Sequence, residues 1–286
     1  MSEFSIQLKN EIDRLGANIY RFTEIKDGIS ETTEIIKANR CLNIYSVAKV
    51  FCVTAVGMLY DRGLLRPSDK FSDIFDKNTF GNGYETWKNT TVENALLHSL
   101  GLPGGFLDID VHSRPFYGND YLRTIFSEPL IYEPGNGYSY TDAAFYLLER
   151  ACEKLGGEPI DILLEKEFFQ PLGCKEVAFS KCPMNHPMGG TGIYLHSEDM
   201  AALGQLMLQR GVLNGRRILS EEWVSLVFKK RYEMYNLKGE KVFGKGGMYG
   251  QMLLVVPEQN RTVAWQAFDT ENKTYSLIDF IYNYKE

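Results

Sequence analysis

Ser46-Val47-Ala48-Lys49-Val50-Phe51-Cys52-Val53-Thr54-Ala55-Val56-Gly57-Met58-Leu59 is the stretch that decides how this 286-residue chain reads. It predicts a helix over 46–60, closed by Asp61-Arg62-Gly63 as a C-cap signal. The segment is apolar on every face, and a helix apolar all round is normally buried all round. Its strongly polar residues are Ser46, at the start, and Lys49, three positions on. Positions i and i+3 share a helix face, so the ammonium can reach the hydroxyl. An ammonium buried without partners costs roughly several kcal/mol, so a lysine there needs a reason. One reason is chemical: desolvation lowers a lysine's pKa towards neutrality and makes it a usable general base for serine. The helix N-terminus adds partial positive charge beside Ser46, favouring an alkoxide and a developing oxyanion. The competing reading makes Ser46 a helix cap and lets Lys49 snorkel to the surface.

Working outward, an amphipathic helix is expected over 5–15 and a strand over 17–25, with Lys26-Asp27-Gly28 as a turn. The segment 64–185 reads as helix and loop, punctuated by Pro67, Pro103-Gly104-Gly105, Pro115, Pro129 and Pro134-Gly135-Asn136-Gly137. Within it, 143–155 is amphipathic and stops at Gly156-Gly157. A further helix is expected over 198–209, with Ser197 as N-cap and Gly211 past its end. Two strands follow, 250–256 and 261–268, joined by Pro257-Glu258-Gln259-Asn260; Tyr275, Leu277, Ile278, Phe280 and Ile281 then predict a closing helix. Strands at both ends and helices between predict an α/β (α+β) architecture, with a sheet completed by the two termini. No repeat or linker divides the chain, so 1–286 is expected to be one catalytic domain, with an α/β part over 1–63 and 186–286 and a helical part over 64–185.

Composition narrows the function classes. The chain is 44% hydrophobic and 24% charged with a formal net charge of −6, and it has no basic stripe. That argues against nucleic acid and anionic membrane as partners. Cys41, Cys52, Cys152, Cys174 and Cys182 are scattered and odd in number, which fits reduced thiols and not a disulfide framework or zinc site. Met1-Ser2-Glu3-Phe4-Ser5-Ile6 lacks the pattern of a secretory signal, and no apolar run reaches the roughly 18 residues of a membrane span. A soluble, cytoplasmic protein is the expectation.

Several separated motifs give the chain a resemblance to the β-lactamase-related serine hydrolases, which include class C β-lactamases, penicillin-binding proteins, D,D-peptidases and serine esterases. Ile44-Tyr45-Ser46-Val47-Ala48-Lys49 resembles the Ser-x-x-Lys nucleophile segment. Thr91-Val92-Glu93-Asn94-Ala95-Leu96-Leu97-His98-Ser99-Leu100-Gly101-Leu102-Pro103 resembles the family's LLTHTSGLP stretch, and Pro134-Gly135-Asn136-Gly137-Tyr138-Ser139-Tyr140-Thr141-Asp142 the stretch that carries the catalytic tyrosine. Gly190-Thr191-Gly192-Ile193-Tyr194-Leu195-His196-Ser197-Glu198-Asp199-Met200 resembles a later stretch, and Lys245-Gly246-Gly247-Met248-Tyr249-Gly250 the third motif, usually Lys-Thr-Gly or His-x-Gly. The resemblance implies a β-lactamase/transpeptidase-like fold, an antiparallel sheet flanked by N- and C-terminal helices plus a mostly helical insertion. It also implies an acyl-enzyme on Ser46, Lys49 and Tyr140 as base and acid, and an oxyanion held by the N–H groups of Ser46 and Met248. Gly247 would admit the substrate, Lys245 would lie close to Tyr140, and Asp142 stands where asparagine is usual. No metal or organic cofactor is implied.

Each residue has a plainer alternative. Tyr140 could be a core aromatic, Thr141 or Asp142 a helix cap, Lys245 a solvated turn residue, and His98 a loop anchor. Trp87, Phe106, Phe116, Tyr117 and Tyr121 read either as pocket lining or as core. Gly246 brings no hydroxyl to the third motif, which disfavours β-lactams and favours a small ester, amide or D-amino-acid peptide substrate. A true β-lactamase or D,D-carboxypeptidase is the alternative enzyme, and a catalytically inactive ligand-binding module the alternative class.

Overall fold

The computed structural model describes residues 1–285. The chain divides into two compact units, one formed by Met1–Val50, Gly173–Ala178 and Ile193–Glu286, the other by Phe51–Leu172 and Phe179–Gly192.

The first unit is built on a six-stranded antiparallel sheet. Its strands are β1 (Ile19–Lys26), β2 (Ile29–Glu34), β3 (Tyr235–Asn236), β4 (Phe243–Gly247), β5 (Gln251–Val256) and β6 (Arg261–Ala267), in the spatial order β2-β1-β6-β5-β4-β3. The N-terminal strands thus pair directly with the C-terminal one, Phe22 opposite Trp265 and Glu24 opposite Val263. Met252-Leu253-Leu254-Val255-Val256 is apolar without alternation because the sheet is covered on both faces. On one face, Met252, Leu254 and Val256 pack with Phe22 and Trp265 against α1 (Glu3–Leu15) and the C-terminal helix α5 (Leu277–Asn283). Helix α1 offers Phe4, Leu8 and Ile12 at helical spacing; Ser2 caps its start by accepting from the Ser5 N–H at 3.0 Å, and Gly16 ends it in the left-handed region. On the other face lies α4 (Ser197–Leu208), where a Cβ on Gly204 would come within 2.9 Å of Leu253. Glycine there brings helix and sheet close.

Three differences from the sequence reading have local causes. Strand β2 is polar and largely exposed, so it has no apolar alternation to give it away. The cap of α4 falls at His196, whose N–H donates to Asp199 at 3.3 Å. Lys245 lies within strand β4 and is buried, so the solvated-turn reading fails.

The second unit is mostly helical. It receives the body of α2 (Ala48–Asp61) and contains α3 (Asp142–Gly156), which Gly157 terminates in the left-handed region. Trp87 and Tyr121 are core residues. All five cysteines are unbridged, and among the described residues no helix is long and apolar enough to cross a membrane.

Glu149 of α3 is an isolated cost in this unit. It is fully buried, and neither carboxylate oxygen has a hydrogen-bond partner among the described residues. Burial pushes its carboxyl well above the ordinary range; Arg150 opposes this, while Glu153, Cys182 and Asp161 add to it. A carboxyl that stays protonated when folded but ionises when unfolded makes stability fall as pH rises through the unfolded-state value of about 4.3. Glu149→Gln is therefore expected to exceed the wild type in stability by about 1–3 kcal/mol at pH 7. Urea denaturation at pH 7 and pH 4 checks this, since the two proteins should be level at the lower pH.

Candidate active site

Ser46 sits in a single 3₁₀ turn, Tyr45–Val47, directly ahead of α2. The turn is pinned from both sides. The Ile44 N–H donates to the Ile193 carbonyl at 2.9 Å, and the Tyr45 N–H to Asn43 Oδ1 at 2.9 Å. Tyr45 itself takes φ 47°, a left-handed conformation that a bulky residue adopts only under constraint. Residues 47–59 are then buried without interruption, as the all-round apolar pattern predicts.

Lys49 is 0% exposed, so it does not snorkel. Its Nζ donates to Ser46 Oγ at 3.4 Å, a long hydrogen bond. The strand β4 closes the other side of the serine. A Cβ on Gly247 would fall 2.6 Å from the Ile44 carbonyl oxygen and 3.3 Å from the Ser46 nitrogen. The backbones of β4 and the Ser46 turn are therefore in contact at a place that only glycine permits. Met248, the next residue, opens a 3₁₀ turn in which Tyr249 has φ 59°. The Tyr249 ring meets Tyr45 edge-on at 5.4 Å and stacks on Phe268 at 4.7 Å, so an aromatic strip flanks the serine turn.

Strand alternation puts Lys245 on the face of β4 that Gly247 turns towards Ser46, and Gly246 on the opposite face. A Cβ at Gly246 would lie 2.6 Å from Tyr275 Oη and 3.4 Å from Met252. A hydroxyl-bearing residue at 246 would thus enter the layer of the terminal helices. Lys245 is in a buried ion pair with Glu233, and its Nζ lies 5.1 Å from the centre of the Tyr235 ring. Nothing in the local sequence signals Glu233, which lies twelve positions upstream in a left-handed backbone conformation.

Tyr140 and Asp142 belong to the second unit. His98 organises their segment: it is buried, its Nδ1 accepts from the Thr141 N–H at 3.3 Å, and its carbonyl accepts from the Ser139 N–H at 2.8 Å. The Tyr140 ring packs on the His98 imidazole at 4.4 Å. The expectation that His98 anchors a loop matches this geometry. Thr141 is the cap of α3, and Asp142 is the first residue of the helix. A Cβ on Gly190 would meet Asp142 Oδ1 at 2.9 Å, which accounts for the glycine in that motif.

Sequence reading missed the grouping of Asp142 with Asp108 and Asp110, whose carboxylate oxygens lie within 4.8 Å of one another. Thr191 donates its hydroxyl to Asp110, and Asp108 accepts from the Asp110 and Val111 N–H groups. If any described residues were to hold a cation, these carboxylates have the donor chemistry. Burial pushes the Tyr117 phenol up, and the charges of Asp108 and Asp142 add to it. Tyr117, Phe106, Phe116 and His112 line a cavity of about 430 Å³ in the same unit.

A β-lactamase family profile matches residues 30–275. The chain belongs to the β-lactamase family. Among curated proteins, it is 31% identical over 152 residues to the N-acetylmuramyl-L-alanine amidase of Bacillus subtilis, covering 51% of this chain and 34% of that protein. The chain spans about a third of the length of the curated relatives it matches. Among solved structures, the penicillin-binding protein homologue from Caulobacter crescentus superposes with a TM-score of 0.77 at 13% identity, over 98% of both chains. EstCE1, a hydrolase with promiscuous acyltransferase activity, superposes with a TM-score of 0.75 at 14% identity, over 99% of this chain and 100% of its own. These likenesses show the expected β-lactamase/transpeptidase-like fold.

The two glycines of β4 should differ in what they tolerate. Gly247→Ala forces two backbones apart and is expected to cost about 1–3 kcal/mol in urea denaturation. Gly246→Ala clashes with the far end of one side chain, so adding Tyr275→Phe should recover most of its loss.

Proposed function

We propose that this chain is an acyl-enzyme serine hydrolase acting on a small ester or amide, with Ser46 as nucleophile and Lys49 as its base. The observation that carries this is the wholly buried Lys49 ammonium position, 3.4 Å from Ser46 Oγ at the head of α2. An amine there has little to do for stability, and it has the geometry for proton transfer.

In this reading Lys49 Nζ takes the Ser46 proton as Oγ adds to the substrate carbonyl carbon. The tetrahedral oxyanion would lie between the N–H groups of Ser46 and Met248, a reading supported by the close approach of Gly247 to the Ser46 nitrogen. Collapse breaks the bond to the leaving alcohol or amine, which receives the proton and departs, leaving the acyl group on Ser46. Water then adds to the acyl carbon, giving its proton back through the same base, and the acid leaves as Oγ is reprotonated. The family motif assigns Tyr140 as the second proton carrier, and its place on the His98 ring fixes the phenol's orientation within its own unit. Asp142, at the start of α3, is proposed to contact substrate. The amidase and hydrolase named among the relatives support ester or amide chemistry.

Intact-mass spectrometry after fluorophosphonate treatment tests the assignment. One adduct is expected on the wild type and none on Ser46→Ala. Lys49→Met should slow labelling by at least about 100-fold, the usual size of a lost general base. A protein that takes no adduct is not an activated serine enzyme. A stable adduct from penicillin in a parallel sample would shift the substrate class to that of a D,D-carboxypeptidase.

A further inference from the structure

Lys245 is the cation that β4 places on the face bearing Ser46, two residues from the glycine that touches the serine turn. Two residues of strand span about 6.6 Å, so the Lys245 backbone lies about that far from the glycine that touches the serine turn. The lysine's charge is already matched. Glu233 holds Lys245 Nζ in an ion pair whose side chains are 5% and 0% exposed. Tyr235 completes the enclosure: its hydroxyl donates to Glu233 Oε1 at 2.9 Å, and its ring faces Nζ at 5.1 Å.

We infer that Glu233 determines specificity: by neutralising Lys245 it makes the site one for acyl substrates without a carboxylate beside the scissile bond. This rests on the serine-hydrolase reading above and names its substrate class as uncharged esters or amides. A substrate carboxylate that sought Lys245 would have to displace a buried carboxylate already in contact with it. It would then strip the buried Glu233 carboxylate of its counter-charge, which is strongly unfavourable. If it did not displace Glu233, it would meet a neutral pair and gain little. A neutral leaving group suffers neither penalty. Position 246 adds no attraction, because a side chain there would project towards Tyr275 and away from the serine.

Phenyl acetate and 3-carboxyphenyl acetate, which differ in one carboxylate on the leaving group, test this. The wild type is expected to prefer the neutral ester by at least about tenfold in kcat/KM. Glu233→Gln keeps the side-chain shape and releases the lysine charge, and should raise kcat/KM for the carboxylate ester about tenfold, through KM. The neutral ester brings no carboxylate to the freed lysine and should not share this gain in the same variant. Adding Lys245→Gln to Glu233→Gln should abolish the gain; a gain that persists without the lysine overturns the inference. A wild type that hydrolyses both esters equally well overturns it without any variant. Fluorophosphonate labelling of Ser46, run on every protein, separates the two proposals. An unlabelled wild type defeats the hydrolase reading, whereas a labelled Glu233→Gln with an unmoved ester ratio defeats only the role of Glu233.

Discussion

The contact between the backbone of β4 and the Ser46 turn is the constraint on which the site rests. It needs Gly247, since any Cβ would sit 2.6 Å from the Ile44 carbonyl oxygen. It also needs β4 to be held in register, Gly247 opposite Gln251 and Lys245 opposite Leu253. Strand β5 is positioned in turn by β6, and β6 by β1, whose outer face packs on helices from both chain ends. The position of a serine at residue 46 therefore depends on residues near 4, 22, 265 and 281. Interiors packed at crystal-like density transmit such constraints because they do not yield gradually.

Buried charge is managed in two ways in this chain. Within the sheet unit, Arg261 donates to Glu24 at 2.7 Å, Ser2 and Ser5 also donate to Glu24, and the guanidinium lies over the Phe4 ring. Lys245 and Glu233 form a second enclosed pair. Such pairs add little net stability, but breaking one by removing a single partner is strongly unfavourable. Glu149 follows the other course and avoids ionising. The pairs thus fix geometry, whereas the lone acid makes stability depend on pH.

The parts of the fold with a periodic signal were legible in the sequence. Helix α1, strands β1 and β6 and the closing helix announce themselves by apolar spacing and β5 by its unbroken apolar run, and their ends by Gly16, Asp27-Gly28 and Asn260. Ser46 and Lys49 were legible for a different reason, as polar residues in a run with no polar face. Lys245 was visible as a motif, but its surroundings were not. A strand written Phe-Gly-Lys-Gly-Gly carries no alternation, and the residue that pairs with its lysine comes from a separate loop. The Asp108, Asp110 and Asp142 grouping was hidden in the same way, since tertiary folding and not spacing assembles it. Glu149 did leave a trace, as an acid between Leu148 and Arg150 near the middle of an apolar helix face, but a lone acid there does not disclose whether it finds a partner.

The two left-handed tyrosines beside the site, Tyr45 and Tyr249, have a consequence for how the protein would respond to selection. Each is a bulky residue in a conformation that costs on the order of 1–3 kcal/mol, and each belongs to the aromatic strip that borders the serine. Glycine or asparagine would relax either position, so a search for thermal robustness should find these sites early. What it would forfeit is the rigidity of the turn that presents Ser46, because the strain and the orientation come from the same bonds. In an evolving lineage, heat tolerance and a fixed presentation of Ser46 would compete at these two positions, while the apolar faces of α1 and β5 stay free to improve without that conflict.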